Sequence, residues 1–267
     1  MKIISLNTYG GKIFEPLIDF IRVNADTIDI FCLQEMLDNN KNISENQGYR
    51  ADLFKQVQKI LNKHQGFFGL AQENFDQTLI KAPGINSGLA VFIKKDYSIK
   101  KSGEFFIFKE LNSFDYKDFS TLPCNLQYLQ LAVNNKLITV CNVHGTSEPG
   151  NKLDTNERLI QSKKIIDFIT RENGEGIITG DFNLLPNTES IAMFEKVGLR
   201  NLIKEFSIKT TRGSLFKKLY PHYGVGPNGW QEFADYAFVS SGIKPVNFSV
   251  PDVPISDHLP LILEFEV

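Results

Sequence analysis

A chain of 267 residues with 42% hydrophobic and 12% aromatic content can bury a sizeable core, and its 22% charged fraction is that of an ordinary soluble protein. Its formal net charge of -2 excludes the global basicity on which non-specific binding to long nucleic acid relies, although a local basic face stays open. Three scattered cysteines, Cys32, Cys124 and Cys141, exclude a disulfide framework, and no apolar run reaches the ~18 residues of a membrane span. With the first strand starting at Lys2, the expectation is one cytoplasmic domain over residues 1–267, acting as a monomer.

In chain order, Ile3-Ile4-Ser5-Leu6 reads as a strand delivering Asn7 to a turn at Thr8-Tyr9-Gly10-Gly11. Phe14, Leu17, Ile18 and Ile21 then recur at helical spacing, with Pro16 near the start, and feed a strand ending at Glu35. Residues 36–50 read as polar turns, and Leu53, Val57, Ile60 and Leu61 mark a second helix ending near His64. Strands follow in residues 66–101, and 107–124 read as an aromatic, charged loop. Residues 126–133 and 137–143 form a hairpin turned at Asn134-Asn135, with His144 at its far end.

Asp154-Thr155-Asn156-Glu157 has the spacing of a capping box, opening a helix that presents Leu159, Ile166 and Ile169 on one face. Next come a short apolar strand ending in Gly180-Asp181-Phe182-Asn183 and a helix over about 188–197, stopped by Gly198. The region 206–232 is loop-rich. The run Lys204, Lys209, Arg212, Lys217 and Lys218 reads as a solvated basic face, and residues 234–240, 246–250 and 261–267 close the chain as strands. The unit Asn7, helix, Glu35 runs parallel to the unit Asn142-Val143-His144, helix, Asp181, as two related halves would.

The strand tips collect Asn7, Glu35, His144, Asp181, Asn183, Asp257 and His258. Oxygen donors dominate and no thiolates stand at zinc spacing, so the set suits a hard cation such as Mg2+ or Mn2+. The histidines suit phosphate chemistry, because donors aimed at phosphoryl oxygens lower the barrier to transfer. Asp235 is an acid inside an otherwise apolar strand and calls for a partner, for which His258 is the candidate. Taken singly, each tip reads more simply as a turn or a solvated strand end; the ordered set argues against that. His64 and His222 are left outside the site.

Leu6-Asn7, Leu33-Gln34-Glu35, Asn142-Val143-His144, Gly180-Asp181-Phe182-Asn183, Ala234-Asp235-Tyr236 and Ser256-Asp257-His258-Leu259-Pro260 stand in an order that resembles the endonuclease/exonuclease/phosphatase superfamily. That superfamily includes deoxyribonuclease I, abasic-site endonucleases, neutral sphingomyelinases and inositol polyphosphate 5-phosphatases. The resemblance implies an α/β fold, a four-layer sandwich of two mixed β-sheets face to face with helices outside. It implies Glu35 as the main magnesium ligand, with Asn7 and Asp257 near the metal or phosphate. Asp181 would orient or deprotonate the attacking water, and Asn183 would hold Asp181 and the phosphate in place. His258, supported by Asp235, would contact the phosphoryl oxygens, and His144 would donate to the phosphate or leaving group.

The implied activity is metal-dependent hydrolysis of a phosphate ester, first a phosphodiester in DNA or RNA and next a small phosphorylated metabolite or lipid headgroup. A catalytically silent binding module on the same fold is the reading from another class. Tyr9 stands where some nucleases of the superfamily carry a second acid, and Asn228-Gly229-Trp230 is only faintly similar to abasic endonucleases.

Overall fold

The computed structural model describes residues 1–221 and 231–267, with the backbone of 225, 226, 229 and 230. His222, Asn228 and the Trp230 side chain lie outside the described residues. The strands are β1 (Lys2–Asn7), β2 (Ile30–Asn39), β3 (His64–Glu73), β4 (Ile85–Lys94), β5 (Ser98–Phe108), β6 (Cys124–Val133) and β7 (Lys136–His144). Then come β8 (Glu175–Asp181), β9 (Arg200–Asn201), β10 (Val225–Gly226), β11 (Gly229–Trp230), β12 (Asp235–Val239), β13 (Lys244–Ser249) and β14 (Leu261–Glu266). Helices are α1 (Phe14–Asn24), α2 (Leu53–Ile60), α3 (Asn156–Ile169), α4 (Glu189–Lys196), α5 (Leu202–Glu205) and α6 (Ser214–Leu219).

Two six-stranded mixed sheets, ordered β13-β14-β1-β2-β4-β3 and β5-β6-β7-β8-β12-β9, form the interior. Strand alternation explains the layering. In the first sheet Ile4, Leu6, Phe31, Leu33 and Phe92 face α1 and α2, while Ile3, Cys32, Val91 and Ile93 turn inward with residues of the second sheet. Helices α3 and α4 contribute Ile165, Ile169, Ile191 and Phe194 to the core that the second sheet shares. This is the expected four-layer sandwich. Side-chain amides stitch its sheets together: Gln34 Nε2 donates to Asn142 Oδ1 at 2.6 Å, and Asn142 Nδ2 donates to the Leu33 carbonyl at 3.0 Å.

The hairpin turn forms as expected, with Asn134 and Asn135 at φ 49° and 63°, the left-handed pair that a two-residue connection requires. Three expectations are corrected. Strand β2 does not stop at Glu35 but runs to Asn39, because a bulge absorbs the turn of the chain between Leu33 and Met36. His64 opens β3 and bonds the Ile28 carbonyl through Nε2 at 3.0 Å, so it is a core histidine, not a helix end. No capping box forms at α3: Thr155 alone caps it, whereas Asp154 accepts from the Glu189 and Ser190 amides at 2.7 and 2.9 Å and caps α4.

Candidate active site

Register explains why distant tips meet. Strands β1 and β2 run parallel with Asn7 beside Gln34, and β7 and β8 run parallel with His144 beside Asp181. The antiparallel partner β12 opens with Asp235 directly opposite Asp181. Parallel neighbours joined by a crossover helix end on the same side, so each unit delivers its polar residues to one edge. The bulge in β2 completes the set by holding Glu35 at φ 53°, a left-handed conformation that rarely suits a Glu and that turns it off the strand's regular alternation.

The expected residues form one hydrogen-bonded constellation. Asn7 Nδ2 donates to Glu35 Oε1 at 2.9 Å and to Asp181 Oδ2 at 3.1 Å, and its Oδ1 accepts from the Tyr9 amide at 3.0 Å. His258 Nδ1 lies 2.9 Å from both oxygens of Asp235, and its Nε2 lies 3.5 Å from Asp181 Oδ2. His144 Nε2 sits 3.7 Å from Asp181 Oδ2 and 3.9 Å from Glu35 Oε1. Asn183 donates its amide N–H to Asp181 Oδ1 at 2.8 Å and its side-chain nitrogen to the Gly145 carbonyl at 3.1 Å. Ser256 Oγ donates to the Asn7 carbonyl at 2.7 Å and receives the His258 amide at 3.2 Å, which ties the last loop to the first strand. All eight candidates are thus brought together, with Asp257 joined through Ser256 Oγ at 3.3 Å and paired with Arg212 Nη1 at 3.2 Å.

Burial would raise the Asp181 carboxyl, but the charges of His258, His144, Lys152 and Arg212 outweigh it and hold the group well below the usual carboxylate range. His258 shows the converse balance: burial and Arg212 favour the neutral ring, and Asp235, Asp181 and Asp257 still push it above its ordinary value. Burial pushes the Glu35 carboxyl up, with Asp257 adding to the shift and His144 and Asn7 opposing it.

Sequence reasoning missed two basic residues of the cleft. Arg212, taken as part of a solvated face, is 5% exposed and pairs with Asp257. Lys152, in a Gly-Asn-Lys turn that reads as surface, is 3% exposed and lines the same cleft. The burial that gives them roles is tertiary and leaves no local pattern. The rest of the basic run divides differently, since Lys204 pairs with Glu195 at 2.8 Å and Lys217 with Glu232 at 2.9 Å on the surface. The cleft encloses about 330 Å³ and is walled by Tyr9, Tyr49, Phe119, Phe216 and Tyr220.

Two groups could receive a cation. The donor atoms of Asp181, Asp235 and His258 lie within 4.8 Å of one another. There, however, each imidazole nitrogen already faces an acid, and a ring with its pKa raised carries protons where a ligand needs a lone pair. The Glu35 side fits a hard divalent ion better. Its carboxylate accepts one side-chain hydrogen bond among the described residues, from the Asn7 amide, with the His144 ring 3.9 Å away, and burial disfavours its charge unless a cation is beside it.

No protein of curated function matches the chain by sequence. Among solved structures, a mannosyl-6-phosphatase from Bacteroides thetaiotaomicron aligns over 100% of both chains at 16% identity with a TM-score of 0.71. A humanised zebrafish (D. rerio) TDP2 aligns over 100% of this chain and 99% of its own, at 15% identity and TM-score 0.67. The human Nocturnin catalytic domain with bound sulfate covers 100% and 94%, at 16% identity and TM-score 0.66. At such identities these likenesses show a common fold. The family model for endonuclease/exonuclease/phosphatase proteins matches residues 4–258, nearly the whole chain, and with the ordered tips converging as described, the protein belongs to that family.

Proposed function

We propose that this chain is a magnesium-dependent hydrolase that cleaves a P–O bond of a phosphate ester by in-line attack of water. The observation that carries the reading is the row Asp235, His258, Asp181, Asn7, Glu35, five side chains in hydrogen-bond or ion-pair succession, of which His258, Asp181 and Glu35 line one cleft. Glu35, with Asp257 near it, would hold Mg2+ or Mn2+. Bound there, the ion would polarise a phosphoryl oxygen and neutralise charge that builds on it.

The chain's own residues supply the rest. Asp181 is held as a carboxylate, so it accepts a hydrogen bond from the water and aims its lone pair at phosphorus. Asn183 fixes the Asp181 oxygen that is not used, and Asn7 spaces Asp181 from Glu35. His258, kept charged by Asp235, offers a donor to the phosphoryl oxygens, whose charge grows toward the transition state. His144, partly exposed at the mouth, is placed to donate to the phosphate or the departing oxygen.

For the substrate, the paired surface cations and the small volume of the cleft favour a compact phosphorylated molecule. A phosphodiester of DNA or RNA is the second reading, favoured by the aromatic walls, on which bases stack as readily as sugars. Hydrolysis of p-nitrophenyl phosphate and bis-p-nitrophenyl phosphate, with magnesium and then with excess chelator, tests the proposal. Chelator-sensitive release supports it, and no release from either ester or from a panel of plasmid, single strands and sugar phosphates leaves the silent binding module.

A further inference from the structure

Lys152 has no task in that mechanism, yet its amine is buried in the cleft and has no hydrogen-bond partner among the described residues. A buried amine without an acceptor is costly and is retained only when the surroundings hold it there. The surroundings do. Lys152 adopts φ 57°, its N–H donates to the Pro149 carbonyl at 3.3 Å, and its carbonyl accepts from Leu185 at 3.0 Å. Buried Arg158 of α3 ties the same turn from below, donating to the carbonyls of Leu153, Pro149 and Ser147 at 2.6, 2.7 and 3.2 Å.

Arg212 shows the same unmet demand. Its Nη1 is taken by Asp257 and its guanidinium lies 4.6 Å from the Phe216 ring centre, but its buried Nε has no acceptor among the described residues. Burial, and the Arg212 charge beside it, lower the Lys152 amine to about 7 against the pull of Asp181, Asp235 and Asp257. Two donors that lack acceptors in a cleft built for phosphate chemistry ask for oxygen atoms.

We propose that Lys152, with Arg212, seats a terminal oxygen of a phosphomonoester, so that the substrate class is a phosphate dianion and not a diester. This rests on the phosphate-ester reading above. A monoester presents three terminal oxygens, one each for the Glu35 side, the His258 and His144 side, and the Lys152 side. A diester places an uncharged alkoxy oxygen in one of those positions. If that position faces Lys152, the buried ammonium keeps no charged partner.

Calorimetric titration in excess magnesium with inorganic sulfate, a tetrahedral dianion near neutrality, and methyl sulfate, its monoanionic ester, tests the seat without any turnover. The wild type is expected to bind sulfate about tenfold more tightly than methyl sulfate, and Lys152→Met to weaken sulfate about tenfold while moving methyl sulfate less than about twofold. Equal affinity of the wild type for both anions overturns the proposal, as does sulfate binding by the Met variant at wild-type strength. Should Lys152→Met not fold, Lys152→Gln replaces it, and the wild-type comparison decides alone if neither folds. A clear dianion preference in a chain that hydrolyses no phosphate ester keeps the seat and removes the proposed function. Hydrolysis without that preference does the reverse.

Discussion

Asp181 meets more of the site than any other side chain, facing Asn7, His144 and His258 from three other segments and Asn183 from its own. Replacing it with Asn keeps the shape but turns one of its two accepting oxygens into a donor and removes the charge that orients water. Turnover is therefore expected to fall about 10²–10⁴-fold, with the circular dichroism spectrum unchanged. His258 carries a pH signature. Its folded pKa lies above the ordinary 6.5, so the stability that its charge contributes is fully present below about that pH and is lost as pH rises through the folded value. Asp235→Asn removes a main raising partner; the alkaline limb of the rate profile should then move to lower pH. A limb that stays in place means that another group sets it. The two histidines and the acids were legible in the sequence because each stands at the edge of, or inside, an apolar run, where a polar residue stands out. Lys152 and Arg212 were not, because a basic residue in a turn looks the same whether the turn faces solvent or closes over a cleft.

At the scale of elements, what matters is how strands aim these groups. Gly180 in β8 has φ 141° and lies so close to β7 that a Cβ would stand 2.1 Å from the Val143 carbonyl oxygen. Gly180→Ala should push the parallel pair apart beside His144 and Asp181. The expected cost is about 1–3 kcal/mol in urea unfolding, together with a loss of turnover although no charged group has changed. The bulge that aims Glu35 makes a second case. Its position was not legible, since Leu33-Gln34-Glu35-Met36 alternates no differently from a plain strand end, and only pairing with β4 reveals the shift. The helices were legible where apolar spacing is strong, as in α1 and α2. Asp154 misled because a cap can serve a helix far along the chain, here α4, as well as the next one. Because burial disfavours the Glu35 charge, Glu35→Gln should raise the melting temperature of the metal-free protein by about 2 °C or more. Millimolar magnesium should raise the melting temperature of the wild type and leave that of the variant unchanged. An unchanged magnesium response in that variant would move the metal elsewhere.

Across the whole molecule the two sheets repeat one pattern. Each has a central parallel pair, β1-β2 or β7-β8, with an antiparallel neighbour on either side, and each parallel pair is bridged by one long helix. The likeness of the two halves in sequence is therefore matched in topology, and facing the halves brings Glu35 and Asp181 to one edge. Charge is distributed on the same scale. The chain is nearly neutral, and several surface cations are spent on neighbouring acids, as in Lys204 with Glu195 and Lys217 with Glu232, whereas Lys152 and Arg212 are buried inside the cleft. A chain of this near-neutral charge gives no global excess of cations with which to displace a polyanion's counterions, while the cleft offers a short-range attraction to one phosphate that salt screens only weakly. Between about 50 and 200 mM salt, kcat/KM on a small phosphate ester should thus change by less than about threefold, whereas a groove making many phosphate contacts loses roughly 10³-fold or more over the same interval. Measuring the same salt series on a single-stranded oligonucleotide separates the cases: a steep decline there, with high activity at low salt, would restore nucleic acid as the substrate and locate a cationic track outside the cleft.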